Sequence, residues 1–188
     1  LSNLGQREEK RQALAEALAI AERLAQAEPG RADYQNGLSL AHEHMGGLLQ
    51  DLGRREEARL AFENALAIRE RLAQAEPGNA EHQRNMAVSH HNIGALLRGL
   101  GQNEEARLAF ARALAIAERL VQAVPSRTDY QRDLSAYYRK MGDLLRDLGQ
   151  SEEARQALAN ALAIANRLAG RSLTAPTTSA IWRMRTTA

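Results

Sequence analysis

Residues 100–125 read LGQNEEARLAFARALAIAERLVQAVP, and they recur as LGRREEARLAFENALAIRERLAQAEP at 52–77 and LGQREEKRQALAEALAIAERLAQAEP at 4–29. A fourth copy, LGQSEEARQALANALAIANRLAG, begins at Leu148, so the Leu-Gly pairs at 4, 52, 100 and 148 keep a constant step of 48 residues. Pro29, Pro77 and Pro125 keep the same step, as do Ile20, Ile68, Ile116 and Ile164. Self-similarity at a fixed period of this size signals a solenoid, in which each unit buries its face against its neighbours.

Each unit reads as two helices. In the middle one the first helix covers 79–99, where Met86, Ile93, Leu97 and Leu100 share a face at spacings of seven, four and three. Gly101 ends it, as glycine just past a helix commonly does. The second helix runs over 103–124, with Asn103 (Ser151 one unit later) expected as its cap and the paired glutamates suiting the positive end of the dipole. Equivalent helices fall at about 6–28, 31–51, 54–76, 127–147 and 150–170.

Composition agrees. Of 188 residues 44% are hydrophobic but only 4% aromatic, much of the remainder being alanine, which favours many thin helix contacts over one thick core. The absence of cysteine excludes disulfides, thiolate metal sites and a cysteine nucleophile and fits a reducing, cytoplasmic setting. No apolar run approaches the ~20 residues that span a bilayer, and no secretory signal opens the chain. The first residue, Leu1, reads as the start of a segment cut from a longer protein.

The middle unit carries His90, Ile93-Gly94, Leu97, Ala106, Phe110 and Pro125, and the unit before it His42, Met45-Gly46, Leu49, Ala58, Phe62 and Pro77. This order resembles the tetratricopeptide repeat: an aromatic, Leu-Gly, Tyr, then Ala-x-x-x-Phe and Pro. The unit after it follows with Tyr138, Met141-Gly142, Leu145, Ala154 and Leu158. A standard unit has about 34 residues. The present one is longer by roughly two turns per helix, an addition that leaves the buried face unrotated. It resembles the long-helix variants of bacterial multidomain proteins and kinesin light chains. The resemblance implies an all-α, right-handed solenoid of antiparallel helix pairs, and a non-enzymatic scaffold for protein or peptide partners. The expected layout is an array over 1–170, made of a partial repeat 1–30 and units 31–78, 79–126 and 127–170. A Ser/Thr-rich tail, 171–188, follows, with Ile181 and Trp182 as the expected anchors on an apolar surface. The helix 6–28 lacks a preceding partner, so self-association into a homo-oligomer is the alternative function.

The chain has no phosphate-binding glycine loop and no H-E-x-x-H zinc motif. His42 and His90 are in register but stand where the family places an aromatic, so no metal or other cofactor is expected. The 25 basic and 23 acidic residues leave a net charge of +2; that balance and the scarcity of aromatics argue against an RNA-binding solenoid. One pattern stands out. Arg84, His91 and Arg98 are spaced by seven on one first helix, and Arg132, Arg139 and Arg146 repeat them on the next. In the family that side of the first helix lines the concave groove, so these six residues are the expected partner-binding grid, suited to an acidic peptide or a chain terminus. The competing reading is a salt-bridged surface served by nearby Glu81, Asp129 and Asp143. The family's carboxylate clamp does not carry over, because Gly47 and Ala95 occupy the asparagine positions.

Overall fold

The structure is a computed structural model that describes the backbone of residues 3–174 and the side chains of residues 8–170. Every regular element among the described residues is a helix: α1 (Asn3–Ala27), α2 (Ala32–Asp51), α3 (Arg55–Ala75), α4 (Ala80–Gly99), α5 (Asn103–Ala123), α6 (Thr128–Asp147) and α7 (Ser151–Thr174). Each helix packs on the one before it, and α4 also meets α6, which is the neighbour pattern of a solenoid.

Two kinds of corner alternate. After α2, α4 and α6 come Gly53, Gly101 and Gly149, with φ of 75°, 76° and 75°, a region that favours glycine. At the middle corner Gly101 N–H donates to Arg98 O (3.0 Å) and Gln102 N–H to Leu97 O (2.9 Å), the paired bonds that satisfy a helix's last carbonyls. The other corner is set by proline. Glu76 and Val124 precede Pro77 and Pro125, and they leave the helical region at φ −129° and −136°. A following proline disfavours the helical conformation in the residue before it. The long helices therefore reach the prolines, as the repeat length requires.

Three expectations at the helix starts are revised. Asn103 and Ser151 are the first residues of α5 and α7, not their caps, and Gln102 caps α5 with no side-chain bond. The glycine corner leaves a single residue before the next helix, which uses up the capping position. A side chain that does cap is Asn79, which accepts from Glu81 N–H (3.1 Å) and His82 N–H (3.3 Å). The Leu4-Gly5 pair lies inside α1 and ends no helix, there being no earlier turns for it to close among the described residues. At the other end α7 continues to Thr174, so its last turn falls within the expected tail; Ile181 and Trp182 lie outside the described residues.

The core follows the repeat. Ala58, Ala106 and Ala154 are buried where helices cross, and Phe62 and Phe110, expected between pairs, press against Gly46 and Gly94 of the first helix of their own pair. The largest cluster joins Phe110, Ala113, Leu114 and Ala117 of α5 to Tyr130, Leu134, Tyr137 and Leu144 of α6. On α1, Lys10 is exposed where the other copies bury alanine. Ala25 is buried, Leu14, Leu18 and Ala21 are half-buried, and Ile20 and Leu24 remain exposed.

Candidate functional site

The first helices of successive repeats, α2, α4 and α6, lie side by side and are stitched together by polar contacts. Asn92 Nδ2 donates to Glu43 Oε1 at 3.0 Å. Arg84 Nε donates to Asp133 Oδ2 at 2.6 Å. Arg98 reaches Asp147 Oδ2 through Nε (2.9 Å) and Nη2 (2.5 Å). All three pairs are 49 residues apart, one more than the repeat, because neighbouring first helices meet at slightly offset positions.

Two members of the expected grid, Arg84 and Arg98, are thus already paired with carboxylates of α6. The Asp133 hydrogen bond raises the pKa of Arg84 above its ordinary value. His91 is turned inward. Its ring stacks on Tyr137 at 4.9 Å and lies 5.8 Å from Phe110, and burial lowers its pKa. Arg146 makes one exposed contact with Asp143, at 3.3 Å. Arg132 and Arg139 are exposed, with no ion-pair partner among the described residues. On α4 the arginines are thus tied to aspartates of α6, whereas on α6 Arg132 and Arg139 are exposed.

Sequence reasoning missed the acceptors Asp133 and Asp147, whose signal is the shared offset of 49. It also missed Arg69, which stands where the other copies have Ala21, Ala117 and Ala165. Arg69 is only 4% exposed. Its guanidinium donates to Ser39 Oγ (3.2 Å), Asn85 O (3.1 Å), Ser89 Oγ (2.9 Å) and the Glu43 carboxylate. Four acceptors drawn from α2 and α4 satisfy a charge that burial would otherwise make costly.

Two clefts flank the stitched face. One, of about 550 Å³, is lined by Lys10, Glu43, His44, Gln50, Asp51 and Asn92. The other, of about 520 Å³, is lined by Arg132 and Arg139 of α6 and by Leu158, Leu162 and Ala165 of α7. The face thus carries carboxylates toward α2 and free guanidinium groups at α6. His90 is buried at the family's aromatic position, and burial, aided by Arg112, lowers its pKa to about 4. No group of three or more potential ligands converges on a metal position among the described residues. No helix among them is long and apolar enough to cross a membrane.

Among solved structures, the chain is similar to a Podosopora anserina putative kinesin light chain with nearly identical TPR-like repeats, at 19% identity and a TM-score of 0.43, covering 87% of this chain and 93% of that one. It is also similar to BtubC (BKLC) from P. vanneervenii, at 15% identity and a TM-score of 0.38, covering 87% and 92%. MamA matches at 13% identity and a TM-score of 0.34, covering 90% and 99%. No curated protein matches the sequence. The tetratricopeptide repeat profile matches residues 43–82, 87–124 and 134–172, more than half of the chain. With its paired helices, small-residue crossings and 48-residue step, the chain belongs to the tetratricopeptide repeat family and is a protein-interaction scaffold.

Proposed function

We propose that the scaffold binds an acidic peptide or chain terminus on the concave face of α2, α4 and α6, with the charges held at the α6 end by Arg132, Arg139 and Arg146. The observation that carries the reading is the contrast between Arg84 and Arg98, each paired with an aspartate, and the exposed Arg132 and Arg139, which have no such partner among the described residues. A guanidinium can hold a carboxylate in two-pronged geometry. Val88 and Ala136 supply apolar contact beside the charges. Arg84, His91 and Arg98 act as the frame that positions α6.

The test is fluorescence anisotropy with a labelled acidic peptide bearing a free carboxyl terminus. Replacing Arg139 and Arg146 with Gln should weaken binding strongly. Replacing Arg59 and Arg107, which lie on α3 and α5, should not. Binding should also fall with salt, since exposed charges are screened beyond about 10 Å at 0.1 M. Equal affinity for the two double variants would refute the reading.

Self-association is the second reading, favoured by the exposed Ile20, Leu24 and Leu40 on α1 and α2. A light-scattering mass that stays monomeric over a hundredfold range of concentration would remove it.

A further inference from the structure

The junction of α4, α5 and α6 displays how this array receives a helix. Tyr130, Leu134 and Tyr137 of α6 share one buried cluster with Ala113, Leu114 and Ala117 of α5. At the edge of that contact, Asp133 and Asp147 take Arg84 and Arg98. One repeat later the same receiving surface recurs on α6 and α7. Ala113, Leu114 and Ala117 return as Ala161, Leu162 and Ala165, and Arg84 and Arg98 return as Arg132 and Arg146. Three positions at this contact differ: Phe110 becomes Leu158, Ala87 becomes Ser135 and His91 becomes Arg139.

What changes is the cover. Leu114 is 9% exposed and Leu162 is 61% exposed. Ala117 is buried, while Ala165 is exposed. The cleft of about 520 Å³ lies here, with leucine and alanine on one side and Arg132 and Arg139 on the other.

We propose that this face binds an amphipathic α-helix of a partner protein, with large apolar residues seated on Leu158 and Leu162 and carboxylates on the edge that meets Arg132 and Arg146. The proposal rests on the reading above that the α6 arginines take an acidic partner, and it specifies the partner's form. The protein contains the pattern of such a ligand in α6: apolar residues at Tyr130, Leu134 and Tyr137, four and then three apart on one stripe, with Asp133 and Asp147 beside it. Where His91 stacks on Tyr137, Arg139 can lie over an aromatic ring of the incoming helix. Residues 175–188 do not have this chemistry. They contain no Asp or Glu to meet Arg132 and Arg146.

The experiment uses the full 188-residue chain and, as the probe, a labelled synthetic peptide with the α6 sequence, residues 127–148. Saturable binding is expected. Leu162→Asp, at an exposed position that leaves the core intact, should weaken it at least tenfold, and Arg139→Glu serves as a second variant. The peptide carrying Asp133→Asn and Asp147→Asn should bind at least fivefold more weakly. Binding unchanged by Leu162→Asp but lost with Arg139→Glu would overturn the helix proposal while leaving acidic capture by α6 standing. Binding indifferent to both would overturn both, and would mean that the peptide displaces α6 itself or adheres elsewhere. Binding seen only after deletion of residues 175–188 would make the chain's own tail the occupant and overturn the proposal. So would a dimer that Leu162→Asp converts to a monomer, since a second copy would then be the occupant.

Discussion

The ring of Phe62 lies directly over Gly46: a Cβ built on Gly46 would come within 2.8 Å of its Cδ1 and Cε1 atoms. Gly94 stands in the same relation to Phe110, and Gly142 to Leu158 at 2.7 Å. The glycine lets the second helix of each pair press its largest side chain against the backbone of the first. Gly47, the next residue along α2, would meet nothing within 4 Å. Opposite outcomes follow at adjacent glycines. Gly46→Ala should lose about 1–3 kcal/mol, because ring and helix must move apart. Gly47→Ala should gain about 0.5–1 kcal/mol, because it removes backbone entropy from the unfolded chain without a clash. Urea denaturation of the two variants checks both signs.

The junctions above and below α4 solve one packing problem in two ways. Between α2, α3 and α4, the long Arg69 reaches Ser39, Ser89 and Glu43. Between α4, α5 and α6, the equivalent positions are Ala117, Ala87, Tyr137 and His91. There a large ring from the first helix fills the space that Arg69 fills from the second. Arg69→Ala alone should cost about 3–5 kcal/mol, the usual result of removing one partner from a buried charge network. Adding Glu43→His and Ser89→Tyr should recover most of that loss, since the triple variant copies three of the four positions of the second junction and supplies its ring. If the triple variant is no more stable than the single one, the two junctions are not interchangeable.

Much of this was legible from the period alone. The constant step placed seven helices and put Gly53, Gly101 and Gly149 at one set of corners and prolines at the other. What was not legible breaks the period. Arg69 is a single departure in a column of alanines, and its partners come from two other helices. The acceptors of Arg84 and Arg98 sit one residue out of register, an offset set by how neighbouring first helices slide against each other. The inward turn of His91 depends on Tyr137, a ring for which the preceding unit has only Ser89. Side-chain direction at such positions is decided by tertiary contacts, which a repeat count does not contain.

His90 makes stability depend on pH with a defined sign. Its folded pKa of about 4 lies below the ordinary 6.5, chiefly because burial disfavours the charged ring. Between these values the unfolded chain takes up a proton that the folded chain refuses. Stability therefore falls as pH drops through 6.5 toward 4 and levels off below. Carboxylates protonate over part of the same range, so the comparison must be with His90→Phe, which places an apolar ring at the family's aromatic position. Relative to the parent, His90→Phe should gain about 2–3 kcal/mol more at pH 4.5 than at pH 7.5. A constant difference across that range would mean that His90 is freely protonated in the folded state.

The pairing of Arg98 with Asp147 turns the α4 edge of the proposed binding face into a testable latch. Arg98 donates through Nε and Nη2 to a single carboxylate oxygen, and both side chains remain partly exposed. Such a pair contributes only about 0–1 kcal/mol to stability, so Asp147→Asn should leave the melting temperature nearly unchanged. It should release the guanidinium and remove a negative charge from the face. If an acidic peptide binds there, its affinity should rise about fivefold, corresponding to one charge-assisted contact of about 1 kcal/mol. Adding Arg98→Gln should return the affinity close to the parent value, because the gain then has no donor. An affinity that stays flat or falls in Asp147→Asn would remove Arg98 from the binding face and confine recognition to the arginines of α6.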